Sequence, residues 1–219
     1  MNDLGTYILA SAPYTQGGFV GSFARNGKLW KEGSALNIPP TFNVISPEYF
    51  GTALDMNQAG DISMVGSADG AWVYAKSGNS WNLVTSLHPD DQVLTSGDCY
   101  GNSVVINDAG DIVAVNALYT GFGTTWVFTY NGSSWVQDGS MIKSQDTSIN
   151  YVGFRTSMNS FIFVATANTL NPPYYGAFVV FQRNQTSIMS VPGCFPKPKT
   201  NFKECKKMIK TCGTSTTLI

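Results

Sequence analysis

The sequence predicts an all-β fold: a β-propeller built from four-stranded blades about 50 residues long. Three observations carry that prediction. The same landmarks recur in order along the chain, which marks a solenoid, a propeller or an array. Each copy holds four strand-like segments joined by Asn/Gly turn chemistry. No stretch shows the 3.6-residue period that a helical repeat needs.

The repeat is clearest in its third copy. Its four segments are Ser103–Asn107, Asp111–Ala117, Thr124–Tyr130 and Ser133–Gly139. The second is almost wholly apolar or small, as in a strand covered on both faces. The third mixes aromatic and β-branched residues, which favour strands. Asn107-Asp-Ala-Gly110 and Asn131-Gly-Ser-Ser134 supply the turns. The first copy matches the third at a constant shift of 105: Asn2 falls on Asn107, Gly5 on Gly110, Phe23 on Phe128 and Trp30 on Trp135. It begins at what is the second strand elsewhere. In the second copy Gly60-Asp61-Ile62 precedes Gly110-Asp111-Ile112 by 50 residues, and Trp72/Trp81 repeat the nine-residue spacing of Trp126/Trp135. The fourth is degraded: Val180-Phe181 matches Val127-Phe128, and no Trp follows.

These limits give units of about 1–49, 50–99, 100–150 and 151–191, the first incomplete, followed by a distinct tail, 192–219. Closure has three routes: a four-bladed ring completed by the tail, a longer polypeptide, or another subunit at the open edge. Pro192, Pro196 and Pro198 end the β pattern. Thr200–Thr211 is expected as a short helix, with Phe202, Cys205, Ile209 and Cys212 on one face. Cys194, Cys205 and Cys212 are the candidate disulfide residues of an oxidising compartment. The tail carries six lysines against Glu204, a balance of +5, so 1–191 has a balance of −6. A body with no basic face argues against nucleic acid as a partner. No run of 18 apolar residues marks a transmembrane segment, and the N-terminus does not read as a signal peptide.

The blade pattern resembles a known family. Phe50-Gly51 and Tyr100-Gly101, a Gly-Asp pair, a Val-x-Ala/Ser segment, then Gly-x-Trp-Val and Gly-x-Ser-Trp are similar to the FG-GAP repeat of integrin α-like propellers. The resemblance spans roughly residues 2–191 and implies adhesion or protein assembly through loops and edges. It departs from the family at the calcium loop. Asn57–Asp61 and Asn107–Asp111 lack alternating carboxylates, so no metal is expected there.

Candidate sites follow from the repeat. Trp30, Trp72, Trp81, Trp126 and Trp135, with Gly60, Asp61, Gly110 and Asp111, recur at fixed positions and read as scaffold. The rival reading of the tryptophans is a sugar-stacking surface. His88, the sole histidine, lies in a polar connection beside Asp90 and Asp91, with no nucleophile motif around it. Asn131 and Asn184 are N-glycosylation sequons in turns. The connections Asn37–Tyr49, His88–Tyr100, Asp138–Tyr151 and Thr169–Tyr175 are expected contact surfaces. The expectation is a non-enzymatic module without cofactors, extracellular or on a particle surface, whose partner is a protein or further subunits. The alternative is a carbohydrate-binding or carbohydrate-cleaving propeller.

Overall fold

A computed structural model describes residues 1–15, 17–37, 49–95, 97–121, 123–143, 149–150, 152–153, 155–159, 162–169, 176–183 and 188–191. It is all-β: among the described residues every regular element is a strand. The expected tail helix and Cys194, Cys205 and Cys212 lie outside those residues, as does Asn184.

Among the described residues seventeen strands form four antiparallel sheets in chain order. The first has three strands, β1 (Tyr7–Ser11), β2 (Val20–Asn26) and β3 (Leu29–Glu32). The second runs β4 (Ala53–Met56), β5 (Ile62–Gly66), β6 (Ala71–Ser77) and β7 (Ser80–Ser86). The third holds β8 (Tyr100–Ile106), β9 (Ile112–Ala117), β10 (Thr124–Tyr130), β11 (Trp135–Gln137) and β12 (Ile142–Lys143). The fourth holds β13 (Ile149–Asn150), β14 (Thr156–Met158), β15 (Ile162–Thr169), β16 (Gly176–Arg183) and β17 (Ile188–Val191). Each sheet is one blade, and among the described residues the first shows no strand in the innermost place that β4 and β8 take in theirs. The two-residue strands β12 and β13 extend the expected four-strand pattern, pairing with β10 and β15.

The blades stack face to face through three apolar layers. Val20 and Leu36 of blade 1 meet Phe50, Val65, Trp72, Tyr74 and Trp81 of blade 2. Met64, Ala71 and Val73 of blade 2 meet Val113, Val115, Trp126 and Phe128 of blade 3. Val105, Ile112, Ala114 and Val127 of blade 3 meet Val152 and Ala165 of blade 4. The middle strands therefore have two buried faces, and all six residues of β9 are buried. Each Trp of β6 and β10 packs on the aromatic that opens its own blade: Phe50–Trp72 at 5.5 Å and Tyr100–Trp126 at 5.6 Å between centroids. Such a pair contributes about 0.5–1.5 kcal/mol beyond the area it buries.

The glycine after each of those aromatics sits close against the preceding blade: a Cβ on Gly51 would lie 2.7 Å from Ser11 Cβ. Gly101 has φ +101°, and a Cβ there would overlap the Gly70 carbonyl oxygen. The residue before the aromatic is held in the left-handed region although it is not glycine: Tyr49 at φ 63° and Cys99 at φ 54°.

A second set of contacts runs along the opposite rim. Asn107 Oδ1 accepts from the backbone N–H of Gly110, Asp111 and Ile112 at 3.0–3.1 Å, while its Nδ2 donates to Asp111 Oδ1 at 2.7 Å. Asn57 repeats every one of these bonds on Gly60, Asp61 and Ile62. The turns also dock on one another. A Cβ on Gly110 would lie 2.7 Å from Asn57 Nδ2, and one on Gly60 would lie 2.9 Å from Asn2 Nδ2. The Asn-x-x-Gly-Asp turn is thus both the corner of one blade and the seat of its neighbour.

Candidate functional site

The strands that begin blades 2, 3 and 4 lie closest to the propeller axis. β4 packs on β8, and β8 packs on β14. Their repeat-equivalent residues, 54–56, 104–106 and 156–158, line one cleft of about 250 Å³, together with Met1, Asp3 and Asp108. β4 reads Ala-Leu-Asp-Met, β8 ends in Val-Val-Ile and β14 is Thr-Ser-Met, and the pleat sends alternate side chains to opposite blade neighbours.

Asp55 stands out among them. The equivalent position is Val105 in blade 3 and Ser157 in blade 4. Its Oδ2 accepts from the Ile106 backbone N–H at 2.8 Å, bridging β4 to β8, and its Oδ1 accepts from the Met56 N–H at 2.9 Å. Burial raises its pKa above the ordinary carboxylate value, and the nearby Asp3 charge pushes the same way; the two backbone N–H groups and the N-terminal amine act against them. Asp3 and Asp108 line the same cleft and are solvent-exposed. The site therefore sets a half-buried carboxyl of raised pKa beside water-facing acidic side chains, the raw material of acid/base chemistry. Repeat alignment carried the signal: an acid stands where the sister blade has valine.

The sequence-predicted residues fall elsewhere. Trp72, Trp126 and Trp81 are at most 5% exposed, sealed between blades and not presented to a ligand. Trp135 is half-buried against the layer between blades 2 and 3. Trp30 differs: it is 41% exposed. Gly60, Asp61, Gly110 and Asp111 form the turns described above. Three N–H donors point into each loop, the opposite polarity to the oxygen cage that a hard cation takes.

Asp91 and His88 also take structural roles. Asp91 Oδ1 accepts from Trp126 Nε1 at 2.8 Å and Oδ2 from the Met141 N–H at 2.9 Å. Burial raises its pKa, but the bonds from Met141, Trp126 and Gln137 outweigh that and hold the carboxyl below its ordinary value. The Asp90 N–H donates to Gln137 Oε1. So the connection from His88 to Tyr100 is strapped across blade 3. His88 Nε2 lies 3.1 Å from Ser86 Oγ, and burial lowers its pKa. Asn131 sits in an exposed turn, where its Oδ1 accepts from Ser133 and Ser134. Cys99 is a free thiol.

No family model and no curated protein matches the chain. Solved structures do match it, as propellers. A structure titled a putative 6-phosphogluconolactonase from Bacteroides uniformis ATCC 8492 aligns with TM-score 0.56 at 11% identity, covering 90% of this chain and 57% of that one. A second with the same title, from Bacteroides fragilis NCTC 9343, aligns with TM-score 0.58 at 11% identity, covering 87% and 52%. The β-propeller domain of Cps50 (Swd1) from Myceliophteria thermophila aligns with TM-score 0.50 at 12% identity, covering 78% and 52%. The chain thus spans little more than half the length of these neighbours, and the likeness is one of fold. It corrects one expectation. The non-enzymatic assembly or adhesion module gives way, because two of the aligned structures are described as putative 6-phosphogluconolactonases. The chain is a β-propeller.

Proposed function

We propose that this propeller is a carbohydrate-directed hydrolytic module acting through the axial cleft. The observation that carries the reading is Asp55, a half-buried carboxyl of raised pKa on the innermost strand, facing the same cleft as the exposed Asp3 and Asp108. Asp55 serves as general acid, protonating the oxygen that leaves when a lactone or glycosidic bond opens. An exposed carboxylate takes a proton from the attacking water. The fold likeness to structures titled putative 6-phosphogluconolactonases supports the substrate class. The lining supports a narrower choice. Its described side chains include three carboxyls and no Lys or Arg to hold a phosphate, so an uncharged sugar suits it better than a phosphorylated one.

The test is hydrolysis of glucono-1,5-lactone, its 6-phosphate and a panel of aryl glycosides, beside a glycan array. Turnover of an unphosphorylated substrate, lost on Asp55→Asn with the circular dichroism spectrum kept, is the expected result. As the acid of the pair, Asp55 should make activity fall as pH rises through its raised pKa, above the ordinary carboxylate range. Absence of both sugar binding and hydrolysis would sink the proposal.

We further propose that the blades follow the FG-GAP pattern. Phe50-Gly51 and Tyr100-Gly101 support this by opening their blades close against the preceding blade.

A further inference from the structure

Two Asn-Gly pairs stand at equivalent places in the repeat, Asn26-Gly27 in blade 1 and Asn131-Gly132 in blade 3, at the shift of 105 that relates the copies. They lie where β2 turns into β3 and where β10 turns into β11, and all four residues are exposed. Their surroundings differ. Asn26 closes β2 opposite Leu29, and its side chain makes no hydrogen bond among the described residues. The side chain of Asn131 folds back over its own turn. Its Oδ1 accepts from the Ser133 N–H at 3.0 Å, the Ser133 Oγ–H at 2.9 Å and the Ser134 N–H at 2.9 Å. The Asn131 N–H donates to the Ser134 carbonyl at 3.0 Å, and the Tyr130 hydroxyl to the Gly132 carbonyl at 3.1 Å, so the turn is held in that shape. Neither Asn131 Nδ2 nor the Gly132 N–H donates to any described residue.

We propose that Asn131 is a self-modifying site, at which the Gly132 nitrogen displaces the side-chain amide and water then leaves aspartate or isoaspartate. The ring that the Ser133 N–H closes on Oδ1 contains both Asn131 Cγ and Gly132 N, so target and nucleophile are kept within one small loop. Gly132 has no side chain to block the approach, and open space surrounds it. Hydroxide takes the Gly132 N–H proton, the nitrogen bonds to Cγ, and the carbonyl electron pair moves onto Oδ1. Three donors already converge there, as in an oxyanion hole. The pair returns, the Cγ–Nδ2 bond breaks, and Nδ2 leaves as ammonia with a proton from water, which regenerates the hydroxide. Water next opens the cyclic imide at either carbonyl. Opening at Cγ makes aspartate. Opening at the main-chain carbonyl makes isoaspartate, with an added methylene in the backbone. Either product brings a new carboxylate and erases the Asn131-Gly-Ser133 sequon, so a glycan at this turn and the new charge exclude one another.

The experiment incubates the folded chain at neutral and at mildly alkaline pH and follows, by mass, the peptides that contain Asn26 and Asn131. Asn131 should convert first, and faster at the higher pH, with isoaspartate as a separately eluting peptide of the same mass as the aspartate one. Ser133→Ala removes one donor from Oδ1 and should slow conversion roughly 2- to 10-fold, the net worth of one hydrogen bond. Ser133→Thr should keep the parent rate. In urea the two Asn-Gly pairs should convert alike, since only the fold sets them apart. Asn131 left intact, or Asn26 converting as fast in the folded chain, would overturn the proposal. So would a Ser133→Ala variant as fast as the parent, or a preference for Asn131 that persists in urea.

Discussion

Replacing Asn107 with alanine tests the claim that an asparagine, not a cation, builds the blade corner. The side chain is 1% exposed. Its Oδ1 satisfies three N–H groups, and two of their owners, Gly110 and Ile112, are buried. The Asp111 N–H can turn to water, and the Gly110 N–H keeps its bond to the Asn107 backbone carbonyl at 3.0 Å. Leaving the buried Ile112 donor unpaired costs about 1–3 kcal/mol. In a chain of this size that lowers Tm by roughly 2–12 °C. Asn107→Asp separates the acceptor from the donor. It keeps the acceptor for all three N–H groups but sets a second carboxylate against Asp111 Oδ1, where Nδ2 now donates at 2.7 Å. At that separation the repulsion is about 1.5 kcal/mol even at the dielectric of water, and it is larger here because Asn107 is buried. Like-charge repulsion raises the pKa of the new carboxyl in the fold. Its penalty is therefore present at pH 7 and fades as pH falls below that raised value. Urea denaturation of both variants at pH 7 and near pH 4, each set beside the parent, reads the two effects. A cost under about 0.5 kcal/mol for Asn107→Ala would refute the argument. So would an Asn107→Asp variant that gains nothing on acidification, or calcium stabilising the parent.

Other expectations follow from the same geometry. Gly101→Ala should destabilise by roughly 3 kcal/mol or more, because strain at φ +101° adds to overlap with the Gly70 carbonyl. Gly132→Ala, at φ +97° with open space around it, should cost only about 1 kcal/mol. Equal melting temperatures for the two would show that inter-blade contact is not what selects the glycine. Asp91→Ala should strand Trp126 Nε1 and shift tryptophan emission to the red at pH 7. In the parent the depressed Asp91 pKa keeps that bond above the ordinary carboxylate value and loses it only as pH falls through the lowered one. A parent that shifts near neutral pH would contradict this assignment.

The blade was legible because its causes are local. The apolar run Ile112–Ala117 can only be a strand covered twice, and Asn131-Gly132 can only turn. The short strands β12 and β13 were not legible, since two residues carry no period. Trp30 could not be placed either. Its local sequence matches Trp81 and Trp135, and its exposure is decided by whether a blade lies in front of it. The cleft was missed for a related reason. In Ala53–Met56 an aspartate among apolar residues reads as an ordinary alternating strand, and only superposing copies shows Asp55 where valine stands. A site on the axis is assembled from one position in several repeats, and no single repeat contains it.

The asparagine turns have a mechanical meaning. Asn2 seats Gly60 and Asn57 seats Gly110, so each turn is a tooth that engages the next. The angle between neighbours is then set by a short polar contact at the rim, whatever fills the layers between them. A chain geared in this way tolerates change in whole units. Duplicating or deleting one blade keeps every tooth in mesh, whereas one residue added inside Asn107–Gly110 strips the gear on both sides. That favours growth and loss by intact copies, and it accounts for a first and third copy that hold step over 105 residues while much of the sequence between the landmarks has drifted.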